Sequence, residues 1–155
     1  MFNLVDRLIH EIYEKCYKRY KIDCTTRSQL LYVTLKNNGF EPRMWRYLNS
    51  KNQENRVKIK LMSGEKFESH VVILLDDYIL DSNLPQKILK KEYEKGIKKI
   101  NKKIMVISTE YWTNPSKDEL KRICDRCNLS PLFTEALKDP ENFKPNIFTN
   151  NQILN

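Results

Sequence analysis

The hydrophobic period of this chain changes twice, and only a mixed architecture accommodates both changes. From residue 2 to about residue 20, apolar side chains recur at helical spacing: Leu4, Leu8, Ile12 and Cys16, flanked by Val5 and Ile9. Asp23-Cys24-Thr25-Thr26 then reads as a cap region, and Leu30, Leu31, Thr34 and Leu35 carry a second helix. Asn37-Asn38-Gly39 ends it, because Asn and Gly tolerate the left-handed conformation of a helix terminus. Residues 43–48 and 56–62 switch to strand character, the latter alternating Val57, Ile59 and Leu61 against Lys58 and Lys60. A turn at 63–66 and strands over 70–75 and 78–81, joined by Asp76-Asp77, predict an antiparallel sheet. Beyond Pro85 the helical period returns in Leu89, Tyr93, Ile97, Ile100 and Ile104, with Gly96 a candidate break. Ser116 and Glu119 form a capping box ahead of Leu120, Ile123, Cys124 and Cys127, and Ser130-Pro131 opens a short helix towards Leu137. Helices, then strands, then helices is the order of an α+β fold, with one domain over 1–139 and an irregular tail over 140–155.

A chain of 155 residues is long enough to bury a core without covalent staples. Its four cysteines are too few for a disulfide scaffold, and its first residues lack the layout of a secretory leader. The longest apolar run, residues 71–75, is far too short to span a bilayer. These features predict a cytoplasmic protein with free thiols and no membrane segment. The net charge of +8 favours acidic partners and is silent on fold. It is concentrated: residues 87–103, bounded by Lys87 and Lys103, hold eight lysines and two glutamates, a local net of +6.

One constellation carries chemistry. Cys24 stands where a helix begins, and the free N–H groups and dipole there favour a thiolate. A thiolate also needs a proton shuttle and oxyanion donors. His70 opens an apolar strand, where its ring is held in place, and Asp81 ends the next one. Pairing across the Asp76-Asp77 turn lets the carboxylate fix one imidazole nitrogen. Taken singly, each residue has a plainer reading, as a packed thiol or a satisfied structural histidine.

The order and setting of these residues resemble the transglutaminase-like, papain-type cysteine enzymes. The resemblance rests on Asp23-Cys24-Thr25-Thr26 opening a helix, on Asn38-Gly39-Phe40-Glu41-Pro42-Arg43 leading into a strand, and on a His and an Asp on successive strands. The separations are 46 residues from Cys24 to His70 and 11 from His70 to Asp81. Asp81-Ser82-Asn83-Leu84-Pro85 also resembles the family's turn after its Asp, so the likeness covers residues 20–85, about half the chain. Ile22-Asp23, Thr25 and Val72 depart from the Gly and aromatic residues common at those places in the family. The resemblance implies N-terminal helices packed on a small antiparallel sheet, followed by C-terminal helices. It implies Cys24 as nucleophile, His70 as base and then acid, and Asp81 as its orienter, with the Cys24 N–H as one oxyanion donor. The reaction would be acyl transfer from a protein or peptide amide through a thioester, without cofactor or metal. Water as acceptor makes a peptidase, amidase or deamidase, and an amine makes a transglutaminase. Arylamine acetyltransferases share the residue order but are usually much longer.

Other readings compete. The same fold without activity could serve as a basic nucleic-acid- or protein-binding module. The lysines of residues 87–103 can neutralise phosphates, with Tyr93 and Tyr111-Trp112 as stacking candidates, or simply form a solvated face. Cys124-Asp125-Arg126-Cys127 is a CxxC, to which Cys16 or His10 could add a zinc ligand, but inside a helix it reads first as packed thiols. His10 reads as a surface residue, Asp76 and Asp77 as turn residues, and Trp45 and Tyr47 as core or groove lining.

Overall fold

The computed structural model describes residues 3–50, 58–146 and 152–153. Helix α1 (Leu4–Ile12) starts at Asn3, whose side chain accepts from the Asp6 N–H, and buries Val5, Leu8, Ile9 and Ile12. The expected single helix does not run on unchanged, since Tyr13–Lys18 winds as a π-helix. Residue 2, its expected start, lies outside the described residues. Lys21, at a φ of 54°, reverses the chain into α2 (Cys24–Asn37). Asn38 caps that helix and Gly39 follows at a φ of 85°, the left-handed position the sequence anticipates.

The remaining elements are β1 (Arg43–Asn49), β2 (Ile59–Lys60), β3 (Lys66–Phe67), β4 (Ser69–Leu75), β5 (Tyr78–Leu80), β6 (Ile88–Leu89), α3 (Lys90–Ile100), β7 (Val106–Glu110), α4 (Lys117–Arg126), α5 (Pro131–Ala136) and β8 (Gln152–Ile153). Six strands form one antiparallel sheet in the order β6-β5-β4-β1-β7-β8. Two layers cover it. Val71, Ile73 and Leu75 face α1, α2, α4 and α5, whereas Trp45, Tyr47, Val72 and Leu74 face Tyr93 and Ile97 of α3 with Ile59 and Leu61. The molecule is thus α+β, and Trp45 and Tyr47 are core residues.

Several expectations are corrected. Residues 56–62 do not form a strand hairpinned onto β4. Residues 56 and 57 lie outside the described residues, and β2 pairs instead with β3 as a separate ribbon. Both edges of β4 are already occupied, by β1 and β5. Gly96 does not break α3; a Cβ there would stand 2.7 Å from Met62 Sδ, so the glycine lets β2's loop approach the helix. The helix ends at Ile100 rather than Ile104, because the Asn101 side chain donates to the Ile97 carbonyl and pairs with the Lys60 backbone. The tail is not wholly irregular. Asp139 caps a 3-10 turn over Pro140–Phe143, and β8 adds an edge strand to β7. Residues 147–151, 154 and 155 of that tail lie outside the described residues.

Candidate active site

Helix α2 is central and almost enclosed: ten of its fourteen residues are buried, including Thr26, Arg27, Ser28 and Gln29. Polar side chains are seldom buried without a task. Ser28 donates to the Val71 carbonyl at 3.0 Å, fixing the first turns of α2 against β4 beside His70. Asp23 accepts from the Thr26 N–H at 2.9 Å and from its hydroxyl, which closes the helix start. Cys24 is therefore the first helical residue, half-buried, held by a cap on one side and a strand on the other.

His70 shares the parity of Val72 and Leu74, and its ring is 1% exposed. Asp81, just beyond β5, is opposite Val72 in the extended β4–β5 register and so is a diagonal neighbour of His70 on one face. His70 Nε2 donates to Asp81 Oδ1 at 2.7 Å. Asp81 also accepts from the Asn83 N–H at 2.9 Å and, through Oδ2, from the Tyr93 hydroxyl at 2.7 Å. With Nε2 committed to the carboxylate, Nδ1 is the nitrogen left for the thiol. It makes no hydrogen bond of ordinary geometry, although the thiol is near enough for the two groups to act on each other's ionisation. Catalytic hydrogen bonds are often loose before substrate tightens them.

The ionisation states follow from these contacts. Burial opposes a thiolate at Cys24, but the His70 ring, the Val71 N–H and the Arg27 charge outweigh it and lower the thiol below its ordinary value. Burial likewise opposes a charged imidazole, yet Asp81 and Cys24 outweigh it and raise His70 to about 9. Asp81 is lowered despite complete burial, chiefly by His70 and then by the Tyr93 hydroxyl and the Asn83 N–H. Together they favour a thiolate–imidazolium pair backed by a carboxylate.

Cys24 and His70 open on a cleft of about 330 Å³. Its walls are cross-tied. The Tyr17 hydroxyl, from the π-helix, donates to Glu65 in the β2–β3 turn, and Asn83 Nδ2 reaches the same carboxylate. Arg27 Nη2 donates to Asn83 Oδ1, and its guanidinium lies 4.5 Å from the centre of the Tyr17 ring. Arg27 is 3% exposed and has no carboxylate in salt-bridge contact among the described residues. Its charge acts on Cys24 and Asp81 from within the site. The sequence reading missed Arg27, which sits one turn after Cys24 in a polar stretch that looks solvent-facing. The sequence offers Tyr93 as an apolar-stripe residue of its helix or as a stacking residue, not as a partner of Asp81. Burial and its bond to Asp81 make it a support of the site instead, and Trp112 packs edge-on against Tyr32. Tyr93, fully buried, is thereby removed as a stacking residue, whereas Trp112 stays half-buried.

The remaining candidates lie elsewhere. Asp76, at a φ of 51°, and Asp77 form the exposed turn, and His10 is exposed on α1. Cys124 lies in α4 and Cys127 caps it, both buried with Cys16 in the core. Burial pushes the Cys124 thiol up to about 12 and raises Cys16 further, so these are protonated packing groups. No helix among the described residues is long and apolar enough to cross a membrane. Comparison of the chain with protein-family models, curated proteins and solved structures finds no match.

Proposed function

We propose that this protein is a cysteine hydrolase or acyltransferase with a papain/transglutaminase-like core, acting on an amide through a thioester on Cys24. The observation that carries the reading is the His70 Nε2–Asp81 Oδ1 bond of 2.7 Å, which leaves Nδ1 of a buried ring without a partner beside a thiol at a helix start. An unpaired buried nitrogen is costly in a purely structural site and useful in a catalytic one.

His70 Nδ1 takes the thiol proton, and the sulfur of Cys24 attacks the amide carbon. The negative charge moves to the carbonyl oxygen, where the Cys24 backbone N–H at the positive end of α2 stabilises it. As the C–N bond breaks, the imidazolium returns its proton to the departing amine, leaving the acyl group as a thioester. Water or a second amine then attacks, His70 again removing a proton, and the thiolate is released. Asp81 holds the ring in the tautomer and orientation required and stabilises its charged form. Arg27 balances the Asp81 carboxylate, so thiolate, imidazolium, carboxylate and guanidinium together carry no net charge.

Intact-mass spectrometry after incubation with fluorogenic peptide amides and glutamine peptides tests the proposal. An acyl adduct on Cys24 that turns over in the wild type, and is absent in Cys24→Ala, is the expected result. Amide cleavage that persists in Cys24→Ala would contradict it.

A further inference from the structure

A second cavity, of about 530 Å³, shares no lining residue with the Cys24 cleft. Five of its eight lining residues are lysines: Lys58, Lys60, Lys66, Lys102 and Lys103. They come from the β2–β3 ribbon and from the turn after α3, elements brought together by one side chain. Asn101, 6% exposed, accepts from the Lys60 N–H at 2.8 Å and donates to the Lys60 carbonyl at 2.9 Å. The concavity is therefore fixed by hydrogen bonds to the backbone, while its like charges repel one another. Among the described residues, none of the five lysines is in an ion pair. That contrasts with Lys87 and Lys90, which pair with Asp6 and Glu94.

The charge does not stop at the rim. Lys91, Lys95 and Lys98 are exposed and recur at i, i+4 and i+7, so they form one stripe on α3, and Lys102 continues it into the cavity. Its helical part, from Lys91 to Lys98, is about 10 Å long. That exceeds what a single phosphate needs and suits successive phosphates along a strand. The cavity's other lining residues are Asn101, Ile100 and Ile104. It thus offers neither a guanidinium fork nor an aromatic face, the two devices that read or stack bases. Tyr93 is buried, and Trp112 packs on Tyr32 in the other layer, away from the cavity.

We infer that the cavity and the α3 stripe form a binding track for the phosphate backbone of a nucleic-acid strand, independent of base sequence. The inference does not rest on Cys24 chemistry. Lysines at such a track release counterions on binding, so affinity falls steeply with salt.

The test is fluorescence anisotropy of a labelled oligothymidine titrated with the full chain over a salt series. Binding is expected with a log–log salt slope of about −0.7 for each phosphate engaged. Lys60→Ala/Lys66→Ala/Lys102→Ala is expected to weaken it ~tenfold or more and to flatten the slope by about 2. A control with the same loss of charge, Lys117→Ala/Lys121→Ala/Arg122→Ala on the opposite layer, is expected to stay within about twofold of wild type. All six positions are exposed, and matching thermal melts establish that the variants are folded. Equal weakening by the control would reduce the effect to net charge and overturn the track. No salt-sensitive oligothymidine binding, or lysine-dependent sedimentation with phosphatidylserine vesicles in its place, would overturn it as well.

Discussion

Buried at 1% exposure, the Asp81 carboxylate accepts from donors on three segments: His70 of β4, the Asn83 backbone and Tyr93 of α3. Each donor stabilises the ionised form, and the Tyr93 side chain is fully buried. Tyr93→Phe keeps the ring volume and strands Oδ2 in the interior. Its expected cost is about 2 kcal/mol of folding stability, read by urea denaturation. A change within experimental error would show that the hydroxyl does not hold Asp81. At this scale the sequence exposes Cys24, His70 and Asp81 because each stands at a boundary where the hydrophobic period breaks. Arg27 and Tyr93 stand at no such boundary. Arg27 lies among Thr, Ser and Gln residues that look solvated, and Tyr93 occupies the apolar stripe of α3 like any packed aromatic residue.

Among the elements, α2 contributes most to the site, and its start is set by one side chain. Asp23 accepts from the Thr26 N–H and hydroxyl, so Asp23→Ala is expected to cost about 1 kcal/mol, while Asp23→Asn retains most of the cap. Thermal denaturation of both variants checks this, and equal losses would place the effect in the charge rather than the cap. Helices and the long strands were legible because their periods extend over many residues. Strands β3, β6 and β8 have two residues each, too few for a period to be visible. Strand β7 was missed for a different reason: Trp45 pairs with Glu110, a partner that only the tertiary fold brings near. The same limit placed residues 56–62 on β4, whose edges the sequence could not show to be taken.

For the whole molecule, the thiolate–imidazolium pair makes a specific claim about stability and pH. Raised against burial to about 9 by Asp81 and Cys24, His70 on its own account stabilises the fold fully below about 6.5 and loses that contribution as pH rises towards 9. In the wild type the Cys24 thiol is lowered below its ordinary value, so the folded state releases that proton at a lower pH than the unfolded chain does. That release offsets the proton gained at His70, and the stability curve is flattened. Cys24→Ser removes the thiolate's share of the His70 shift but keeps that of Asp81, so it is expected to lose stability more steeply than the wild type as pH rises above about 6.5. Parallel curves in urea titrations would contradict the pairing. The layers on the two faces of the sheet make the pair possible, since Cys24 comes from the α2 layer while His70, Asp81 and Tyr93 belong to the α3 side. Their meeting across the sheet end was suggested by residue order, but the layers themselves were not legible, because strand parity does not say which helix covers which face.

The reactivity of Cys24 tests the central claim most directly. The rate of alkylation by iodoacetamide, followed against pH in wild type and in His70→Ala, reports the thiolate fraction at that one site. The account predicts reaction well below the pH at which an ordinary thiol ionises, and loss of that low-pH reactivity in His70→Ala. Equal profiles in the two proteins, matching an ordinary free thiol, would contradict it.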